Sequence, residues 1–237
     1  MNPIALMPRQ AVPALDLALT TGGRYVSGQN SGERFDLLVF YRGLHCPICA
    51  KYLLELERLG EEFQKRGVRI VAISSDEVTR GQAMADKVQG RFIEFAYGLN
   101  LGLARQWGLY ISTSRGQTSI GIDEPALFSE PGVFIVRPDG TLYYGSTQTM
   151  PFARPQFQDL LGAIDFAVAK DYPALWGRAD WNGVPFQGLG MPADTATAAT
   201  DSTAKLATPA LPLVKASSSA APATGAASVG TGNMNRP

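Results

Sequence analysis

Residues 35–73 read FDLLVFYRGLHCPICAKYLLELERLGEEFQKRGVRIVAI, and their order of patterns decides the fold. FDLLVFY (35–41) is a continuous apolar run of strand length, closed by the turn Arg42-Gly43-Leu44-His45. From Cys46 the period changes to that of a helix. Ile48, Tyr52, Leu56, Leu59 and Phe63 recur at steps of four and three, Pro47 suits the first helical position and Gly67 suits the stop. VRIVAI (68–73) is a second strand. A strand, a helix and a strand in this order predict a right-handed parallel crossover.

Outward from this unit, residues 77–89 predict a helix capped by Ser75 or Asp76, and FIEFAYG predicts a short strand before a helix in LNLGLARQWGL. Residues 111–130 read as a loop long enough to suggest a functional or embellishing role. GVFIVRP, the turn Asp139-Gly140 and TLYYGS predict an antiparallel hairpin. A last helix carries Phe157, Leu160, Leu161, Ile164 and Val168 on one face. Trp107, Trp176 and Trp181 read as packing residues.

Composition changes near residue 190: no aromatic follows Phe186, and the remainder is built mainly from Ala, Ser, Thr, Gly and Pro. So little apolar area does not offset the entropy of ordering, so the domain is expected over 1–189 and a flexible, disordered tail over 190–237. Lysine plus arginine (21) balances aspartate plus glutamate (21), which gives no net field toward nucleic acid or an anionic membrane. The first residues contain no apolar run of signal-peptide length, and no later run approaches a membrane span. The expected location is the cytoplasm, where a close cysteine pair is more often catalytic, redox-sensing or metal-binding than a permanent staple.

Both cysteines of the chain and its only histidine lie in YRGLHCPICAKYL (41–53). A zinc site would need two more ligands, which His45 alone does not provide, so no metal is expected. At helical spacing the β-carbons of Cys46 and Cys49 are about 5–6 Å apart, near enough for small adjustments to close a disulfide. Free amides and the helix dipole favour a thiolate at Cys46. Cys46 is therefore the expected nucleophile and Cys49 the resolving thiol. Pro47 fixes the helix entry and tunes the pair. Arg42 is placed either to steady negative charge or as a solvated loop residue, and it is a better candidate than Lys51. His45 is placed either to lend charge or relay a proton, or as a spacer.

The order of elements is that of an α/β thioredoxin-like fold, a central mixed β-sheet flanked by helices. LLVFYRGLHCPICAKYLLEL resembles the active-site segment of the peroxiredoxin-like branch of the alkyl hydroperoxide reductase and thiol-specific antioxidant (AhpC/TSA) family, within the thioredoxin superfamily. VPALDLAL, LNLGLARQWGL, PGVFIVRPDGTLYYG and AKDYP resemble further segments of that family in their usual order, so the likeness covers most of residues 10–173. It implies no cofactor, reduction of hydroperoxides or disulfides by a thioredoxin-like or glutathione-like thiol donor, and a monomer or homodimer. It also implies a cis-proline facing the cysteine pair, a place that Pro131 matches.

Two departures bear on activity. The family's threonine or serine three residues before the peroxide-attacking cysteine is replaced by Gly43, and its arginine at the start of the later strand is replaced by Pro131. These departures tilt the expectation toward disulfide exchange, with peroxide reduction second and a redox-sensing binding module third.

Overall fold

Alternation along FDLLVF sends Leu37 and Val39 to one face of a sheet and Leu38 and Phe40 to the other, and in the computed structural model both faces are covered. The structure describes residues 6–29 and 31–174. The elements in chain order are β1 (Asp16–Ala18), β2 (Arg24–Val26), β3 (Phe35–Phe40), α1 (Pro47–Lys65), β4 (Val68–Ile73), α2 (Val78–Val88) and β5 (Ile93–Ala96). They continue with α3 (Leu101–Gln106), β6 (Ile111–Thr113), β7 (Leu127–Ser129), β8 (Gly132–Val136), β9 (Leu142–Thr147) and α4 (Phe157–Ala169).

The central sheet has the order β5-β4-β3-β8-β9. Strands β3, β4 and β5 are parallel, while β8 and β9 run antiparallel to their neighbours, so the sheet is mixed. On one face Leu37 and Val39 meet Leu53 and Phe63 of α1, Met84 of α2, and Phe157 and Ile164 of α4. On the other, Leu38 and Phe40 meet Trp107, which follows α3, together with Leu15, Leu17 and Tyr25. Leu17 and Tyr25 belong to a hairpin, β1 with β2, that was not among the elements expected from the sequence. Among the described residues no helix is long and apolar enough to cross a membrane.

Several local expectations change. Helix α2 is capped by Glu77 without a side-chain bond, rather than by Ser75 or Asp76. The Asp76 carboxylate is held elsewhere, by the Leu44 amide at 2.7 Å and by Arg80 Nε at 3.2 Å. Residues 111–130 are not all loop: β6 and β7 at their two ends pair antiparallel. On α4, Ala167 takes a buried place, whereas Val168 in the last turn is 39% exposed. The tail expected over 190–237, with Trp176 and Trp181, lies outside the described residues.

Phe40 is fully buried, its ring centroid 5.2 Å from that of Trp107 and 5.5 Å, edge-on, from that of Phe134. Replacing it with alanine leaves a cavity between two aromatic rings, and Phe40→Ala is expected to cost about 3–5 kcal/mol. A urea titration followed by circular dichroism should show a lowered midpoint with an unchanged slope.

Candidate active site

Strand β3 delivers the chain to the site, and the Tyr41 amide prolongs its ladder by donating to the Ile73 carbonyl at 2.9 Å. The turn that follows is shaped by Asp76. Leu44 donates to its carboxylate, and Gly43, at φ +139°, lies so close that a Cβ there would stand 2.7 Å from Asp76 Oδ2. Only glycine fits both that conformation and that contact. The Gly43 carbonyl then accepts from the Cys46 amide at 3.1 Å, and the helix begins at Pro47.

Cys46 is the N-cap of α1: its backbone is extended, and its Sγ accepts the Cys49 amide at 3.2 Å. Both thiols are free and buried, Cys46 with 2% of its surface exposed and Cys49 with none. The hydrogen bond from the Cys49 thiol is the largest influence on Cys46 and, with the Cys49 amide, Arg154 and Arg42, lowers its pKa to about 6 against the opposing effect of burial. Burial and the adjacent Cys46 push Cys49 well up, while Arg154 pulls the other way. The two sulfurs thus divide into a thiolate and a thiol.

Arg154 was not found from the sequence. It lies between β9 and α4, and its Nη2 donates to Cys49 Sγ at 3.1 Å. Its Nε donates to the Pro151 carbonyl at 2.8 Å, and the guanidinium stands 4.9 Å from the centre of the Tyr52 ring. The Tyr52 hydroxyl in turn donates to the Pro155 carbonyl, so a residue of α1 holds the segment that carries the arginine. The only sequence signal is an arginine before a proline in an inter-element segment, which by itself names no partner.

Arg42 and His45 face the hairpin of β6 and β7. Arg42 Nη2 is 3.5 Å from Glu124 Oε1, its Nε is 3.4 Å from Glu130 Oε1, and it lies over the Phe128 ring at 4.5 Å. Its charge is therefore shared with two carboxylates. His45 is fully buried, its ring 4.7 Å from that of Phe128. Burial, followed by Arg42, lowers its pKa to about 4, so the imidazole is neutral at pH 7 and lends no positive charge. Lys51 is exposed on α1.

Pro131 is preceded by a trans bond, since no cis peptide occurs among the described residues. The cis form that the family resemblance implies at this place is therefore not the one this chain has. The backbone on either side is already bonded: the Glu130 amide donates to the Tyr110 carbonyl at 2.7 Å, and the Pro131 carbonyl accepts from the Gln148 amide at 3.0 Å. Pro131 continues the strand-like run from β7 to β8. Among the described residues, no group of three or more histidine, cysteine, aspartate or glutamate side chains is placed to hold a metal ion.

The sequence model of the AhpC/TSA family matches residues 8–145, more than half of the chain. The chain belongs to the AhpC/TSA family. It is accordingly a thiol-dependent oxidoreductase. No curated protein matches it. Among solved structures it is similar to a mutant of peroxiredoxin 6 from Arenicola marina, at 20% identity and a TM-score of 0.59, over 74% of this chain and 82% of that one. It is also similar to peroxidoxin BcpB from Mycobacterium tuberculosis (20% identity, TM-score 0.54, 69% of this chain and 98% of that one). AhpC from Enterococcus faecalis is a third (16% identity, TM-score 0.56, 73% and 99%). At these identities the likeness is one of fold, and it agrees with the mixed sheet and flanking helices of this AhpC/TSA protein.

Two measurements check this geometry. Because the thiolate is the nucleophile, alkylation of Cys46 by iodoacetamide should fall as pH drops through about 6, while Cys49 reacts slowly throughout. Mass spectrometry of alkylated peptides resolves the two sites. Restoring the family's threonine should not help: Gly43→Thr forces a Cβ against Asp76 at positive φ, and is expected to cost about 1–3 kcal/mol in a denaturant titration.

Proposed function

We propose that the protein reduces small hydroperoxides, with Cys46 as the peroxidatic nucleophile, Cys49 as the resolving thiol and a thiol donor closing the cycle. The observation that carries this reading is a sulfur favoured as thiolate at a helix N-terminus with only 2% of its surface exposed. A peroxide is small enough to reach such an atom. A protein disulfide must bring its own sulfur and flanking backbone into line with the attacking thiolate, and a nearly covered Cys46 does not favour that.

Cys46 thiolate attacks the distal oxygen of ROOH, the O–O bond breaks, and Cys46 becomes a sulfenic acid as the alkoxide leaves and takes a proton. Cys49 then attacks the Cys46 sulfur, forming the disulfide and releasing water. Two equivalents of donor thiol return both cysteines to the reduced state, with formation of the donor disulfide. Arg154, already on Cys49 Sγ, supports ionisation of Cys49 for the second step. Arg42 contributes a weaker field at Cys46, Pro47 fixes the helix entry, and His45 acts as a neutral packing partner of Phe128. A cycle of this kind fits a compartment rich in reduced thiols, such as the cytoplasm.

Disulfide exchange is the second reading, favoured by the second thiol in the same helical turn and by glycine and proline where the family has threonine and arginine. Stopped-flow mixing with hydrogen peroxide, with quenched samples analysed by mass spectrometry, separates the two. The peroxidase reading expects fast formation of a Cys46 sulfenic acid, then a Cys46–Cys49 disulfide. It also expects loss of peroxide consumption by at least about a thousandfold in Cys46→Ser, an effect on the scale of removing a nucleophile. Cys49→Ser should stop at the sulfenic acid. Slow oxidation by peroxide beside rapid exchange with a disulfide would reverse the order of the readings.

A further inference from the structure

The Asp76 carboxylate and the stretch between β6 and β7 take no part in the proposed chemistry, yet both are tied to the turn that carries Cys46. Asp76 follows β4 and has 3% of its surface exposed. Burial raises its pKa, while the Leu44 amide and Arg80 oppose that rise. A buried carboxylate is costly unless it is paired and hydrogen-bonded, and here its two oxygens serve different partners. Oδ2 accepts the Leu44 amide at 2.7 Å, and Oδ1 faces Arg80 Nε at 3.2 Å.

Arg80, in the first turn of α2, extends the contact, because its Nη2 donates to the Asp123 carbonyl at 3.0 Å. The next residue, Glu124, brings Oε1 to 3.5 Å from Arg42 Nη2. Leu44, Asp76, Arg80, Asp123, Glu124 and Arg42 thus make a ring, which the chain itself closes between 42 and 44. The loop side of the ring is braced: Glu124 Oε2 accepts the Arg115 amide at 2.7 Å, and the Glu124 amide donates to the Gly116 carbonyl at 3.1 Å. What the ring encloses is one planar unit, the peptide between Gly43 and Leu44. Its N–H donates to Asp76, and its carbonyl accepts from the Cys46 amide at 3.1 Å. Asp76 therefore sets the plane from which Cys46 hangs.

We propose that Asp76 and Arg80 are positioning residues for Cys46: they fix the Gly43–Leu44 peptide and, through its carbonyl, the place of Cys46 Sγ at the start of α1. The inference rests on the reading that Cys46 is the nucleophile. Charge and positioning have opposite signs here. As a charge alone, the Asp76 anion opposes a thiolate at Cys46, so its removal lowers the Cys46 pKa. As a positioning group it has the reverse effect. Without it the peptide turns, the Cys49 amide no longer meets Cys46 Sγ squarely, and the thiolate loses a donor.

The test is the pH profile of Cys46 alkylation by iodoacetamide in the full reduced chain, read by mass spectrometry. Asp76→Ala should raise the midpoint by about one pH unit from its place near 6, the effect of losing a hydrogen bond to a charged group. Asp76→Asn keeps an oxygen for the Leu44 amide and should show at most half of that rise. Arg80→Lys keeps the charge but not the fork that joins Asp76 to the Asp123 carbonyl, and should raise the midpoint by about half a unit. Leu15→Ala, in the core on the far face of the sheet, should lower the urea midpoint of unfolding and leave the alkylation profile where it was. The proposal is overturned by a midpoint that stays or falls in Asp76→Ala, by an equal rise in Asp76→Asn, or by a rise of the same size in Leu15→Ala. If Asp76→Ala does not fold, an unchanged profile in Arg80→Lys overturns it. Peroxide plays no part in the assay, so a chain that alkylates as expected and does not react with peroxide overturns the peroxidase reading alone.

Discussion

The cap of α1 is a thiol: Cys46 Sγ accepts the Cys49 amide, and the other groups of the site take their roles from that bond. A helix N-terminus leaves backbone donors without partners, and an oxygen normally satisfies one of them. Here sulfur does so, and a thiolate does it better than a thiol. The requirement of the helix and the requirement of the chemistry therefore have the same sign. Pro47 strengthens both, because a proline at the first helical position fixes the entry angle and brings no amide of its own to compete. In the proposed cycle, oxidation takes the charge from this cap, so the first turn of α1 is where redox state meets backbone structure.

Charge around the cap is distributed unevenly, and the unevenness follows from burial. A buried thiolate needs compensation. Arg42 is the nearer cation in sequence, yet it is divided between Glu124 and Glu130 on the β6–β7 hairpin, and its effect on Cys46 is the smallest of those that lower the pKa. Its stronger consequence is architectural: together with the Phe128 ring it fastens the hairpin over the end of β3. Asp76 plays the corresponding part on the other side, taking the Leu44 amide and leaving room for no side chain at position 43.

The fold was legible where a period ran long enough to be unambiguous. VRIVAI became β4 with the same ends, and FDLLVFY lost only Tyr41, because buried parallel strands beside a helix of 3.6 period admit few alternatives. The elements not expected from the sequence were those of three residues, β1, β2, β6 and β7, each too short for its period to stand out from a loop. Leu15, Leu17 and Leu19 did alternate, as a covering strand should, and all three are buried. At the site, local residues were legible and distant ones were not. Cys46, Cys49 and Pro47 declare themselves by spacing, whereas Arg154 reaches Cys49 across 105 positions, a relation that no periodicity encodes. For His45 the sequence left two roles open, and what separates them is burial, which keeps the imidazole neutral and is set by residues distant in the chain.

The relocation of the second cation has a consequence for the order of events. Where the family resemblance places an arginine at the start of a strand, this chain has Pro131 and finds its guanidinium after β9, in contact with Cys49 rather than Cys46. In the reduced pair, Cys49 stays protonated because burial and the neighbouring Cys46 outweigh Arg154. In the proposed cycle, conversion of Cys46 to a neutral sulfenic acid removes the neighbouring charge and leaves the arginine in place. Ionisation of Cys49 then becomes easier at the moment when a second nucleophile is required, and stays unfavourable before it. A cation facing Cys46 would instead have stabilised the first thiolate alone, with nothing to favour ionisation of Cys49 once that charge was gone.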